Sequence, residues 1–197
     1  MKILLASSNA GKLREYREMA EGTALDIELL PGIREIAPFD ESAPTFAENA
    51  AGKALYYSRH TAELVLADDS GLVVPALGGA PGVRSARYAG PSATDADNVR
   101  KLLREMESRE GDERRARFVC VIAIARAGRA LVIASDCAEG TLGKEPRGEN
   151  GFGYDPVFCF SDGSRTYAEV PSDQKNRHSH RGRAFRKVVE YLAPLNF

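Results

Sequence analysis

The sequence predicts a mixed α/β domain built in three layers around a central mixed sheet. Short apolar runs typical of buried strands recur along the chain, and segments with helical periodicity lie between them. The two types do not alternate strictly, which favours a mixed sheet over a purely parallel one. The length of 197 residues suits one compact domain, which we expect to span residues 1–197.

The composition is that of a globular protein and excludes several functional classes. Hydrophobic residues make up 43% of the chain and charged residues 28%, while the net charge is −1. A near-neutral chain lacks the broad basic face that binds nucleic acid or an anionic membrane. The apolar run 118–125 is too short to cross a bilayer. Three cysteines without a CxxC pair indicate a reducing cytoplasm.

The N-terminal segment predicts a strand, a polar loop and a helix. The strand covers 2–6, and the helix follows from the spacing of Leu13, Tyr16 and Ala20. Backbone amides at a helix N-terminus, small side chains and one lysine together suit a triphosphate. An ordinary capped turn explains the same residues equally well. The loop residues in question are Ser7, Ser8, Asn9, Ala10, Gly11 and Lys12.

A second helix and an acidic turn follow. Thr45 is placed to cap a helix over 46–60, with Glu48 in its first turn. The run 63–67 predicts a strand that ends directly in a turn carrying Asp68 and Asp69. Two adjacent carboxylates repel each other unless a cation or a proton lies between them, so these residues and Glu48 are candidate Mg²⁺ ligands. The alternative is a solvated acidic turn.

The middle of the chain predicts an ordered loop, a helix and a hairpin. Glycine and proline are too frequent over 74–91 for a regular element. Thr94 and Asp97 form a capping-box pattern ahead of a helical apolar stripe. Two β-rich runs, 117–126 and 129–135, are separated by Ala127 and Gly128, the pattern of a hairpin.

The C-terminal part carries an aromatic loop and a basic run. The string GFGYDP, residues 151–156, sets two rings among glycines, which suits stacking on a flat ligand; the alternative is a tight turn with Tyr154 packed inward. A strand at 157–160 precedes a run with six Lys or Arg over 175–187, which indicates a nearby anion or a solvated helix face. Ala184, Val188 and Leu192 then mark a last helix.

Six strings occur in one order along the chain: SSNAGK, TFAENA, ADDSGL, GGAPGVRSARYAG, GENGFGYDP and KNRHSHRGRA. Together they resemble the inosine/xanthosine triphosphate pyrophosphatase family, enzymes that remove non-canonical purine nucleotides. The resemblance runs from about Lys2 to Ala184. It implies an elongated mixed α/β fold with two lobes around a cleft, usually a homodimer. The implied reaction is Mg²⁺-dependent hydrolysis of ITP, dITP or XTP to the monophosphate and pyrophosphate.

The resemblance also implies roles for individual residues. The loop from Ser7 to Lys12 would hold the triphosphate, and Asp69 would be the catalytic carboxylate and a metal ligand. Glu48 would be the second metal carboxylate, and Ser70 would contact the substrate. Hydrogen-bond donors on the basic run would pair with the C6 oxo group that distinguishes hypoxanthine and xanthine from adenine. The implied nucleobase pocket comprises Phe152, Gly153, Tyr154, Asp155, Lys175, His180 and Arg181.

Three other functions stay open at this point. A Maf-like pyrophosphatase acting on pyrimidine or modified nucleotides would use the same metal and leaving group. A non-catalytic nucleotide sensor would hold a ligand without cleaving it, but clustered carboxylates do not help a pure anion binder. Nucleic-acid binding through residues 175–187 would depend steeply on salt, and the near-neutral total charge argues against it.

Overall fold

The computed structural model describes residues 1–195 and has six strands and five α-helices in that part of the chain. The sheet order is β2-β1-β3-β4-β5-β6; β1 runs parallel to β2 and β3, and β5 antiparallel to β6. The predicted mixed α/β class is therefore confirmed. In chain order the elements are β1 (Lys2–Leu5), α1 (Ala10–Ala20), β2 (Asp26–Leu29), α2 (Phe46–Tyr57), β3 (Leu64–Val73), α3 (Asp95–Glu105), β4 (Arg115–Arg126), β5 (Arg129–Leu142), β6 (Phe158–Cys159), α4 (Ser172–His178) and α5 (His180–Leu192).

The chain divides into two compact units that are each built from separate segments. The first unit contains residues 1–69, 120–136 and the chain from 180 onward; the second contains 70–119 and 137–179. Strands β3, β4 and β5 each contribute residues to both units. A single domain over 1–197 stays a prediction, and its last two residues lie outside the described part.

The first unit has three layers because its central strands are buried on both faces. Ile3 and Leu5 of β1 pack into one apolar cluster, whereas Leu4 belongs to another, as expected from the alternation of side chains along a strand. Helices α1 and α5 cover the first face, where the rings of Tyr16 and Phe185 meet edge to face at 5.4 Å. Helix α2 covers the second face through its small buried alanines.

The second unit has its own core. Leu102 of α3 packs with Leu72, Phe118 and Phe158 from the strands, and the ring of Tyr167 joins them. The capping box predicted for α3 is present, since Thr94 and Asp97 each bond the other's backbone amide. The predicted loop 74–91 holds two short 3₁₀ helices, at Pro75–Leu77 and Gly82–Arg87, and one isolated β-bridge between Pro81 and Val73.

Two elements of the structure are absent from the sequence prediction. Strand β2 has only four residues with one buried side chain, and helix α4 is a polar segment of seven residues. Neither is long enough to show a clear apolar periodicity. The hairpin turn is confirmed: Ala127 and Gly128 both have positive φ, as a two-residue type I′ turn requires. Within residues 1–195, no helix is both long and apolar enough to span a membrane.

Candidate active site

The predicted phosphate loop forms the N-terminal end of α1. Asn9 caps the helix: its Oδ1 accepts a hydrogen bond from the backbone N–H of Lys12 at 3.0 Å. The hydroxyl of the buried Ser7 accepts from the N–H of Asn9 at 3.2 Å, while Ser8 is exposed. Ala10, Gly11 and Lys12 form the first helical turn rather than a loop. An anion at this end of α1 would meet the positive end of the helix dipole.

The predicted acidic turn is wrong, because β3 continues through it. The strand runs to Val73, so Asp68 and Asp69 lie inside it, and both side chains are buried. Successive side chains in a strand point to opposite faces. The two adjacent carboxylates accordingly contact different partners, and a solvated acidic turn is excluded.

Asp68 belongs to a buried cluster of charges. Its Oδ2 lies 3.0 Å from Lys12 Nζ and 3.4 Å from Arg181 Nε. The Nη1 of the same guanidinium lies 2.6 Å from Glu15 Oε2 on α1. Two carboxylates and two cations therefore neutralise each other in the first unit. We call these four residues, Lys12, Glu15, Asp68 and Arg181, the buried ion cluster.

Burial and charge oppose each other at Asp68. Burial alone would raise the pKa of this carboxyl, but Lys12, Arg181 and Lys53 together hold the pKa below its usual value. Asp68 is therefore ionised at neutral pH. Within residues 1–195, its second oxygen, Oδ1, receives no hydrogen bond although it is fully buried.

Asp69 has the opposite electrostatic environment. Burial raises its pKa to about 6, and the negative charges of Glu41 and Asp68 add to the rise. A hydrogen bond from Asn49 Nδ2 to Asp69 Oδ2, at 3.0 Å, and the charge of Lys12 act against it. A carboxylate with a pKa near 6 is ionised at neutral pH and can still accept a proton.

Helix α2 and the segment before it supply groups that sequence reasoning missed. Asn49 is held by its own side-chain bonds to the backbone of Ala43, and Lys53 Nζ lies 2.7 Å from Glu41 Oε1. Asn49 and Lys53 are one helical turn apart on the buried face of α2. A lysine and an asparagine on the apolar stripe of a helix could have signalled this role. Glu41 carried no comparable signal.

The three predicted metal carboxylates are not gathered in one place. Glu48 is exposed, and its Oε2 accepts a hydrogen bond from the hydroxyl of Thr45 at 2.6 Å. Among residues 1–195, no group of three His, Cys, Asp or Glu side chains is close enough to hold a metal ion. The environment of Asp69 nevertheless fits a divalent cation, because the negative charges of Glu41 and Asp68 both act on this carboxylate and a cation would offset their repulsion.

In the second unit, the structure brings together the predicted aromatic loop and Lys175. The Lys175 ammonium forms a buried ion pair with Asp155 and lies 5.0 Å above the ring of Phe152. Asp155 also accepts a hydrogen bond from the backbone N–H of Phe152 at 2.9 Å. Tyr154 packs inward and donates its hydroxyl to the carbonyl of Ser85 at 2.8 Å, whereas Phe152 is partly exposed. Of the two predicted rings, only Phe152 is placed to stack on a ligand.

The basic run is only partly a solvated face: Arg177, Arg183, Arg186 and Lys187 are exposed, whereas the other two cations are not. Lys175 and Arg181 are buried, and the anions beside them are the protein's own Asp155, Asp68 and Glu15. His180 is buried at the start of α5 in the first unit. Ser70 is partly exposed on β3, directly after Asp69. The contacts described for Arg181 are thus with the buried ion cluster, and its predicted role in base recognition stays a prediction.

Comparison with known proteins shows what this chain is similar to. A model of the Ham1 family matches residues 3–191. A dITP/XTP pyrophosphatase from Bacillus licheniformis is 45% identical over 191 residues, which cover 97% of each chain. A dITP/XTP pyrophosphatase from Geobacillus kaustophilus is 44% identical over 189 residues, covering 96% of this chain and 93% of the relative.

Solved structures agree with the sequence comparison. The structure of a HAM1 protein from Coxiella burnetii superposes with a TM-score of 0.86 at 39% identity, covering 99% of this chain and 100% of the other. The Staphylococcus aureus Ham1 protein superposes with a TM-score of 0.84 at 34% identity, covering 98% and 99%.

Proposed function

The chain belongs to the Ham1 family, as its motifs predicted, and from this premise we propose that it hydrolyses non-canonical purine nucleoside triphosphates such as dITP and XTP. The products are the monophosphate and pyrophosphate. The observation that carries the proposal is the arrangement around Asp69: its buried carboxylate accepts a hydrogen bond from Asn49 Nδ2 at 3.0 Å, and the carboxylate of the preceding Asp68 lies 3.0 Å from the ammonium of Lys12 at the N-terminal end of α1. A candidate proton acceptor and a candidate phosphate-binding element thus both belong to the first unit.

The chain's own groups can perform most of the reaction. Hydrolysis breaks the bond between the α and β phosphates, so negative charge grows on the oxygens. Lys12 and the backbone amides that begin α1 would stabilise the triphosphate, because they lie at the positive end of the helix dipole. Asp69 accepts a proton from the attacking water, and the Asn49 side chain fixes the orientation of its carboxylate.

A divalent cation completes the proposal. We propose that Asp69 holds Mg²⁺, with Glu48 as the second carboxylate predicted from sequence and Glu41 as a second candidate from the structure. Mg²⁺, when bound, would supply positive charge that offsets the charge developing on the phosphate oxygens. Because Asp68 already contacts Lys12 and Arg181, we assign to it the positioning of these two cations.

Base selectivity rests on the aromatic loop and the basic run. Phe152 offers a partly exposed ring, and the Lys175 ammonium, a hydrogen-bond donor, lies 5.0 Å from that ring. A hydrogen-bond donor at this position would pair with the C6 oxo group of hypoxanthine. With adenine, the same donor would face the C6 amino group, which is itself a donor, and this mismatch discriminates strongly against adenine. We propose that His180 also donates a hydrogen bond to the C6 oxo group.

The decisive experiment is pyrophosphate release from dITP, XTP, dATP, dGTP and dTTP, with Mg²⁺ and with EDTA. Release from dITP and XTP alone, abolished by EDTA, supports the proposal. Release from dTTP indicates a Maf-like specificity, and tight binding without release indicates a sensor. Asp69→Asn is expected to lose at least about 100-fold in kcat. Asp26→Asn, which changes an exposed carboxylate of the same unit, is the matched control and is expected to keep full activity.

We propose further that the enzyme is a cytoplasmic homodimer without a nucleic-acid or membrane partner. The described cysteines, Cys120, Cys137 and Cys159, are all free thiols, which fits a reducing compartment. The dimer rests on the family resemblance, and light scattering after size-exclusion chromatography tests it. A mass near 43 kDa supports the dimer, since one chain is 21.4 kDa.

A further inference from the structure

The aromatic loop of the second unit is held by three hydrogen bonds on three consecutive residues. Phe152 donates its N–H to Asp155, Gly153 donates its N–H to Asp95 Oδ2 at 2.7 Å, and Tyr154 donates its hydroxyl to Ser85. The Asp155 bond stays within the loop, and the Ser85 bond holds the inward-packed Tyr154 side chain from 69 residues away. The bond to Asp95 is different, because it ties the loop backbone itself to another element, the first residue of α3.

The loop needs such support because its backbone is intrinsically permissive. Gly151 and Gly153 both have positive φ, and these two glycines flank Phe152. Glycine populates many backbone conformations, so the loop would lose considerable entropy on becoming ordered. A short hydrogen bond from an amide to a carboxylate is among the stronger ones available. It holds the peptide that follows Phe152.

We propose that Asp95 is a positioning residue for base recognition: it fixes the Gly153 amide and thereby holds the Phe152 ring where the base stacks. The inference rests on the proposed function. Asp95 acts through the loop and does not itself contact the substrate. Losing the bond should weaken substrate binding more than turnover, because the groups assigned to the chemistry, Lys12, Asn49 and Asp69, are not part of the aromatic loop.

The neighbouring residue Asp97 provides a matched control. Both acids lie in the first turn of α3, so both interact favourably with the helix dipole. Asp97, however, bonds to Thr94 in the capping box and does not bond to the aromatic loop. Substituting Asp97 therefore tests how much a loss of helix stability alone changes KM.

The experiment compares Asp95→Ala, Asp95→Asn and Asp97→Ala. We expect Asp95→Ala to raise KM for dITP by about fivefold to tenfold, with kcat within about twofold. Asp95→Asn keeps an acceptor oxygen and should restore KM to within about twofold of the wild type. Asp97→Ala should lower Tm while leaving KM within about twofold. An unchanged KM in Asp95→Ala, or an equal rise in Asp97→Ala, overturns the proposal.

Hydrogen exchange separates this inference from the proposed function. In Asp95→Ala, amide exchange measured by mass spectrometry should rise in peptides covering 151–155, and Asp97→Ala should not reproduce the rise. If the wild type hydrolyses no nucleotide, the proposed function fails, and the exchange result still decides whether Asp95 orders the loop. Unchanged exchange in that case overturns the inference as well.

Discussion

Replacing Asp69 by asparagine should make the metal-free protein more stable while abolishing its activity. Burial raises the pKa of Asp69 from 3.8 to about 6, so ionising this side chain costs the folded state more than the unfolded state. The difference is about 2 pH units, and each unit corresponds to 1.36 kcal/mol, which gives about 3 kcal/mol. Asparagine is never ionised and can still accept the hydrogen bond from Asn49, so it avoids this cost.

The sign of the pH dependence follows from proton binding. Between pH 3.8 and 6 the folded state keeps the Asp69 proton that the unfolded state releases, so wild-type stability falls across this window as pH rises. Above pH 6 the full penalty is present. The free energy of unfolding of Asp69→Asn should therefore exceed that of the wild type by about 3 kcal/mol at pH 8, and by almost nothing below pH 4.

Urea unfolding in EDTA at a series of pH values measures this difference. For a chain of this length, about 3 kcal/mol corresponds to a rise in Tm of roughly 6–12 °C. Asp26→Asn is the control: it removes an exposed carboxylate from the same unit and should change stability by less than about 0.5 kcal/mol throughout. A difference for Asp69→Asn that is absent at pH 8, or independent of pH, would refute the reasoning. Added Mg²⁺ should stabilise the wild type and not the variant, because binding to the folded state alone raises stability.

Three other substitutions test separate contacts. Asp68→Asn removes the carboxylate that Lys12 and Arg181 share, while Arg181 keeps its contact with Glu15. Losing one partner of a buried ion cluster should lower the free energy of unfolding, measured in urea, by about 3 kcal/mol. No loss would show that the buried ion cluster is not stabilising. Gly151→Ala forces a Cβ against the Asp155 carboxylate at positive φ, so KM for dITP should rise severalfold, and an unchanged KM would contradict this. Thr94→Ala removes the cap of α3 and should lower stability by about 1 kcal/mol without changing kcat, as thermal melts and steady-state assays can check.

Local patterns were sufficient to predict most of the fold. The strand at the N-terminus, the capped helices α2 and α3 and the two-residue hairpin turn all depend on residues close in sequence. The same reasoning ended β3 too early, because two acidic residues are rare inside a buried strand. They are tolerated there because Lys12 and Arg181, 56 and 113 residues away, neutralise Asp68. No local pattern contains that information.

The site shows the same division between local and distant information. Motifs alone predict roles for Asp69, Lys12 and the aromatic loop, since each lies in a short string with a recognisable composition. The partners that set their properties, Asn49 and Glu41 among them, follow only from packing. In the basic run, charge density alone predicts an external anion or a solvated face. The two buried cations of the run, Lys175 and Arg181, instead contact carboxylates of the protein itself.

The pleat of β3 places two adjacent carboxylates in different environments. Because neighbouring side chains leave a strand on opposite faces, Asp68 meets two cations while Asp69 meets a neutral amide. The pKa of Asp68 is therefore lowered and that of Asp69 is raised, although only one peptide bond separates them. Such a separation of two pKa values is typical of a pair in which one carboxylate acts as the acid–base group and the other stays a fixed charge. In the proposed mechanism, Asp68 therefore holds the two cations as a fixed charge, and Asp69, with a pKa of about 6, exchanges a proton near neutral pH.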